Sequence, residues 1–346
     1  MPAWTGPPRS LIVATVAAFV LAPIVSSAGQ DAEPPSGSSA AEQASLSSGT
    51  TTSPTDPTSP TAPLPPRQAE PAPVEAEAAE PAEPVVVPRT IGVATFNQFR
   101  KLTPEQLTSD ARALARNPRA DIIGWQEAWD TRGILRDLGE LGWSTRSFPR
   151  GAKELSVSWR TKDFTFVGAE QRQVARGVDD GTGRYPFGDR WAIRVTLRDK
   201  ASGELISVLN THLPQAIEDL ENPGRWALTY NSARARTQLT RLARMWGQAP
   251  GRWVVGTGDY NVDAGAERRV RPEGGLSDVF AGRAVSSYAV LGTDVADTHP
   301  VSGRHIDYVH VSKKSLSRGR VAFAAHWAVT GLNSDHRALL ARLRLS

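Results

Sequence analysis

Ten short apolar runs, most of them rich in β-branched residues, punctuate the sequence beyond Arg89 and leave little choice of fold class. The expected strands are Thr90–Thr95, Ile122–Trp125, Leu155–Trp159, Phe164–Gln171, Trp191–Leu197, Leu205–Thr211, Trp253–Gly256, Ile306–Val311, Ala322–Val329 and Ala338–Leu345. Two segments carry a helical period instead. The first has Thr103 as N-cap, Pro104 at the first helical position and Gln106 completing a capping box, with Leu107, Ala111 and Leu114 along one face before Asn117-Pro118. The second covers roughly 228–247, with Leu239, Leu242 and Trp246 on its apolar face and Arg234, Arg241 and Arg244 elsewhere. Many strands and few helices call for stacked sheets with helices outside them. No repeat of fixed 20–50-residue period is present.

The rest of the chain cannot add to that core. Residues 29–89 hold 13 of the 26 prolines, no aromatic residue, and nine acidic against two basic side chains, the composition of an extended, semi-rigid linker. Ahead of it, residues 1–28 read as an export signal. A single Arg9 precedes the apolar run Leu11–Val25, interrupted by Thr15 and Pro23 and too short for an ordinary spanning helix, and small residues Ser26 and Ala28 follow. An uncleaved anchor is the alternative, and either places the folded part, residues 90–346, outside the cytoplasm, secreted or tethered at the cell surface. That part carries 37 Lys plus Arg against 27 Asp plus Glu, a net charge of +10. The chain has no cysteine, which excludes disulfides, thiolate nucleophiles and Cys-ligated metals and leaves Asp, Glu, Asn and His as the only candidate ligands.

Strong polar residues recur where the apolar runs stop, the usual place for a site built on sheet ends. Asn97 follows I-G-V-A-T-F, Gln126-Glu127 follows D-I-I-G-W, Asn210 and His212 follow I-S-V-L, and Asp259 and Asn261 follow W-V-V-G-T-G. Asp307 lies inside H-I-D-Y-V-H-V, and Asp335-His336 precedes the final run. Singly, each has an ordinary explanation as a turn, cap or solvated residue. Asp307 resists it, because a carboxylate between Ile306 and Val309 is costly without a partner, for which His336 is the natural candidate. Six such termini converging on one cleft explain the set better than six separate turns.

The ordered motifs T-F-N (Thr95–Asn97), W-Q-E (Trp125–Glu127), N-T-H-L (Asn210–Leu213), G-D-Y-N (Gly258–Asn261), I-D-Y-V (Ile306–Val309) and S-D-H (Ser334–His336) resemble those of the endonuclease/exonuclease/phosphatase superfamily, over essentially all of residues 90–346. The resemblance implies an α/β four-layer sandwich, two packed mixed β-sheets flanked by helices, and metal-dependent hydrolysis of phosphate esters. It implies Asn97, Glu127 and Asp335 as metal ligands, whose hard oxygens suit Mg²⁺, with Mn²⁺ as a substitute. It makes Asp259 the residue that aligns or activates water and Asn261 the holder of a phosphate oxygen. His336 contacts the phosphoryl group with Asp307 fixing its orientation, and His212 assists proton transfer to the leaving group. Asn210 and Arg190 are the expected substrate contacts. In the deoxyribonuclease branch a glutamate pairs with the histidine at position 212. Glu154 stands one residue short of the matching place, and on a continuous strand that shift would turn it to the other face.

The substrate class rests on weaker signals. The positive balance, the arginines at 234, 236, 241 and 244, and the Arg268–Arg271 cluster suit a polyanion, which puts nucleic acid first. A sphingomyelinase-like enzyme would need a lipid wedge, for which Trp226 is a candidate, and an inositol-phosphate phosphatase would use similar basic loops. An inactive surface binding module on the same fold is a further alternative. The sequence implies no protein partner and a monomer.

Overall fold

The computed structural model describes residues 87–177, 188–269 and 275–346. The expected export signal and nearly all of the linker lie outside the described residues, as does part of the Arg268–Arg271 cluster. Two six-stranded sheets form from strands β1 (Arg89–Asn97), β2 (Ile122–Gln126), β3 (Trp143–Ser147), β4 (Ser156–Arg160), β5 (Phe164–Ala175), β6 (Arg190–Asp199), β7 (Leu205–His212), β8 (Trp253–Asp259), β9 (Ala284–Ser286), β10 (Asp307–Ser312), β11 (Val321–Val329) and β12 (Ala338–Leu345). Their orders are β11-β12-β1-β2-β4-β3 and β5-β6-β7-β8-β10-β9. Each sheet is mixed in the same way, with one parallel pair at its centre, β1/β2 in the first and β7/β8 in the second, and antiparallel neighbours around it.

Strand alternation explains the layers. On β1, Ile91 and Val93 enter the large core with Val208, Val255, Val309 and Leu343, while Ala94 and Phe96 enter a second core with Ile123, Trp125 and Leu340. That second core is closed by Ala111 and Leu114 of helix α1 (Pro104–Arg116), whose capping box at Thr103 and Gln106 forms as the sequence requires. Helix α2 (Arg132–Asp137) follows β2, and α3 (Tyr230–Gln248) packs Leu239, Leu242 and Trp246 against the second sheet. Short helices α4 (Ala264–Arg269), α5 (Gly275–Val279), α6 (Ser287–Leu291) and α7 (Lys313–Ser317) complete the described residues. The expected fold class is the observed one.

Three details differ from expectation. Strands β3 and β9 have no apolar run to announce them: β3 reads W-S-T-R-S at a sheet edge and β9 is three residues long. Arg234 does not sit on the solvent side of α3; it is buried, and its guanidinium donates to the carbonyls of Arg176 (2.7 and 3.0 Å) and Gly188 (3.2 Å), so the residue after β5 and one shortly before β6 are tied to the helix. Trp226 packs against the large core, which removes it as a lipid wedge.

Close approach of the sheets needs a glycine. A Cβ on Gly124 would lie 2.0 Å from Thr257 Oγ1, and that hydroxyl is held by Leu209 O at 3.3 Å and Asn210 Oδ1 at 3.2 Å. Gly124→Ala is therefore expected to destabilise the fold by about 1–3 kcal/mol, read as a lower urea midpoint, and an unchanged midpoint would show that the sheets part freely here.

Candidate active site

Register assembles the site. Asn97 ends β1 beside Gln126 on β2, His212 ends β7 beside Asp259 on β8, and Asp307 begins β10 directly opposite Asp259. Opposed residues share a face, so His212, Asp259 and Asp307 all point between the sheets at one open end of the sandwich. The cleft there has a volume of about 780 Å³ and is lined by Asn97, Glu127, Glu154, Arg190, His212, Asp259, Asn261, Asp335 and His336 among others. The four non-glycine residues with positive φ among the described residues are Phe99, Glu127, Ala216 and Asn261 (52°, 54°, 57° and 53°), and all four line this cleft. Backbone strain held at one place marks a site whose geometry matters more than its local stability.

Asp259 is the hub. Its Oδ2 accepts from Asn97 Nδ2 at 3.0 Å and lies 3.4 Å from His212 Nε2 and 3.8 Å from His336 Nε2, while Oδ1 accepts from the Asn261 amide at 2.9 Å. Burial opposes its charge, but the two imidazoles and Asn97 outweigh burial and hold the carboxyl well below the ordinary range. Each histidine is fixed from behind. His336 Nδ1 meets Asp307 Oδ2 at 2.8 Å, and Asp307 is itself held by Thr298, whose Oγ1 accepts from its amide at 3.1 Å. His212 Nδ1 meets Glu154 Oε2 at 3.0 Å, and Glu154 Oε1 accepts from Arg190 Nη1 at 3.1 Å. The parity objection to Glu154 fails because β4 begins only at Ser156; Glu154 sits in the preceding turn, where alternation does not apply.

Burial works against a charged His212, but Glu154 and Asp259 prevail and carry its pKa up to about 10. The ordinary value is 6.5, so the protonated ring stabilises the folded chain fully below about pH 6.5, and that contribution is lost as pH rises through about 10. Glu154→Gln is expected to bring the His212 pKa down toward its ordinary value and to shift any alkaline loss of activity to lower pH. Ring-proton NMR titration reads the first directly, and an unmoved His212 resonance would assign the shift to Asp259 alone.

The S-D-H loop is anchored by a residue the motifs did not reveal. Buried Asp110 on α1 accepts from the amides of Asn333 (2.9 Å to each oxygen) and Ser334 (3.0 Å) and from Asn333 Nδ2 (2.7 Å), while Ser334 Oγ donates to Asn97 O at 2.8 Å. This holds Asp335 at the cleft beside Glu127. Asp335 Oδ1 is buried without a hydrogen-bond partner, and burial, with Glu127 and Asp259 nearby, lifts its carboxyl above the ordinary range against the pull of His336 and His299. An orphaned carboxylate oxygen beside a second carboxylate is what a bound cation would satisfy, and the hard oxygens of Asn97, Glu127 and Asp335 fit Mg²⁺ or Mn²⁺. Asp259, Asp307 and His336 also bring one ligand atom each within 4.8 Å, but His336 Nδ1 and Asp307 Oδ2 are hydrogen-bonded to one another, and His336 Nε2 lies 3.8 Å from Asp259 Oδ2.

Of the expected substrate contacts, Arg190 lines the cleft and Asn210 does not. Asn210 shares the face of His212 but lies two residues deeper. It is fully buried, donating to Trp125 O (2.8 Å) and Ser156 O (3.0 Å) and accepting from Gln126 Nε2 (2.7 Å), so it stitches the two sheets together beneath the site. The α3 arginines are likewise not at the cleft; among the described residues its Arg and Lys side chains are Arg100, Lys101, Arg190 and Arg304. Arg304 pairs with Glu218 and donates to Asn261 O at 2.9 Å, and the His299 ring lies tilted against the His336 ring with their centroids 4.9 Å apart. Neither follows an apolar run, which is why strand-end inspection passes over them.

No protein-family model and no curated protein matches this sequence. Among solved structures, the chain is similar to an endonuclease/exonuclease/phosphatase from Bacteroides vulgatus (TM-score 0.55, 18% identity, covering 75% of this chain and 100% of that one). It is similar as well to the human Nocturnin catalytic domain with bound sulfate (0.54, 18%, 74% and 94%) and to D. rerio TDP2 complexed with single-strand DNA product (0.52, 13%, 73% and 98%). The two packed mixed sheets with helices outside them are thus the fold that these proteins share with this chain, the endonuclease/exonuclease/phosphatase fold.

Proposed function

We propose that the chain is an exported, Mg²⁺-dependent phosphodiesterase of nuclease type. The observation that carries the reading is the convergence of two independently buttressed histidines on Asp259, within a cleft whose rim holds the paired carboxylates Glu127 and Asp335. Bound there, the cation would neutralise charge on the phosphoryl oxygens.

The chain's own groups divide the remaining work. Asp259, ionised, orients the attacking water and accepts its proton. Asn261 donates one Nδ2 hydrogen to Leu213 O at 3.0 Å, and its second can reach a phosphate oxygen. His336, raised above its ordinary value by Asp307 and Asp259 despite burial, presents a positive Nε2–H to the phosphoryl group. His212, protonated at neutral pH, delivers its Nε2 proton to the departing oxygen while Glu154 holds the ring. The apolar N-terminal run and the Pro-rich linker support a site of action outside the cytoplasm.

A comparison of bis(p-nitrophenyl) phosphate with p-nitrophenyl phosphate, each with Mg²⁺, tests the class of ester. The diester is expected to turn over faster, and a clear preference for the monoester would replace the phosphodiesterase by a phosphatase.

A further inference from the structure

Trp129 follows Glu127 by two residues and lines the cleft, yet it belongs to neither hydrophobic core. A half-buried tryptophan without core packing is unusual for so large an apolar side chain, and here its neighbour is a cation: the Arg100 guanidinium lies 5.5 Å from the ring centroid. The opposing contact is equally specific. Arg100 N donates to Glu127 Oε2 at 3.0 Å, and Phe99, at φ 52°, carries Lys101 5.7 Å over its own ring. The two segments that leave the candidate metal ligands Asn97 and Glu127 therefore place two aromatic rings and two cations in the lining of the cleft, within four residues of those ligands in sequence.

We infer that Trp129, backed by Arg100, is a stacking subsite for an unpaired nucleobase next to the scissile phosphate, so that the substrate is single-stranded nucleic acid rather than duplex. The inference rests on the phosphodiesterase reading above. A tryptophan face binds any base, whereas a base inside a duplex has both faces covered by its neighbours and is reached only after unstacking. Arg100 and Lys101 bring positive charge to the same part of the lining and can meet the adjoining phosphates, while Arg190 and Arg304 are held by Glu154 and Glu218.

The test uses the full chain, its Trp129→Ala and Trp129→Phe variants, and fluorescein-labelled oligonucleotides: single-stranded, duplex, and single-stranded with one abasic residue placed in turn at each position. Binding is read by anisotropy in EDTA, which separates it from hydrolysis; KM and kcat are then read with Mg²⁺. The parent is expected to bind the single strand more tightly than the duplex. Trp129→Ala is expected to weaken single-strand binding and raise KM roughly 10- to 100-fold with kcat little changed, Trp129→Phe to retain most of the affinity, and one abasic position to lose as much affinity as Trp129→Ala with no further loss when the two are combined. Equal binding of single strand and duplex, or an abasic effect that simply adds to that of Trp129→Ala, overturns the subsite. Tight Trp129-dependent binding without cleavage in Mg²⁺ would leave the stacking inference standing and overturn the phosphodiesterase, while cleavage indifferent to Trp129 would do the reverse.

Discussion

Asp259→Asn is expected to lower kcat by about 10²–10⁴-fold in a folded protein, the range for removal of a positioned proton acceptor. The substitution keeps the side chain's volume and an oxygen that can still accept from the Asn261 amide, so the loop at 258–261 retains its shape. It removes the one negative charge shared by His212 and His336, whose Nε2 atoms lie 3.4 and 3.8 Å from it. Both rings then lose part of what holds them protonated, and the water loses its acceptor. Steady-state kinetics with circular dichroism as the folding control decides it: a variant within threefold of the parent rate would show that Asp259 only braces the histidines.

His336→Ala is expected to cost a similar factor in turnover and to leave a pH-dependent defect in stability. Asp307 is fully buried, and burial carries its pKa up to about 6 even with His336 opposing the rise. Without the ring, the carboxyl is pushed higher still, and its Oδ2 joins an Oδ1 that is already without a partner. A raised carboxyl pKa means that the folded chain holds the proton more tightly than the unfolded one, so stability falls as pH rises. The Tm of His336→Ala should therefore drop relative to the parent between pH 5 and pH 8. Adding Asp307→Asn should restore Tm at pH 8 without restoring activity. A pH-independent loss of Tm would mean that the ring contributes packing alone.

Much of this arrangement is legible in the sequence because strand ends in a mixed sheet are fixed by register. An apolar run that stops at Asn97, His212 or Asp259 stops at the same end of the sandwich whenever its strand is one of a central parallel pair, and β1/β2 and β7/β8 are such pairs. The same logic misplaces Asn210, since period-two alternation gives the face but not the depth: two residues back along a strand is about 7 Å, and there Asn210 bonds to Trp125 O and Ser156 O of the other sheet. Glu154 is the converse case, where alternation is applied to a residue outside the ladder. Arg234 shows that an arginine can lie on the inner side of a helix when carbonyls of a loop need donors, and nothing in the helical period distinguishes it from the exposed Arg236, Arg241 and Arg244. Asp110, Thr298 and Arg304 act through backbone amides and carbonyls brought together by the fold, so no local pattern encodes them. Trp129 lies in plain sight beside W-Q-E, but an isolated tryptophan reads as core until the structure shows that it joins neither one.

The most direct test of the Asp259-centred site is release of fragments from an end-labelled single-stranded oligonucleotide by the full chain, with Mg²⁺, with EDTA, and with Asp259→Asn in place of the parent. Fragments are expected from the parent with Mg²⁺ and from neither of the other two. Fragments that persist in EDTA or at the parent rate with Asp259→Asn, or an intact oligonucleotide after incubation of the folded parent with Mg²⁺, would contradict the account.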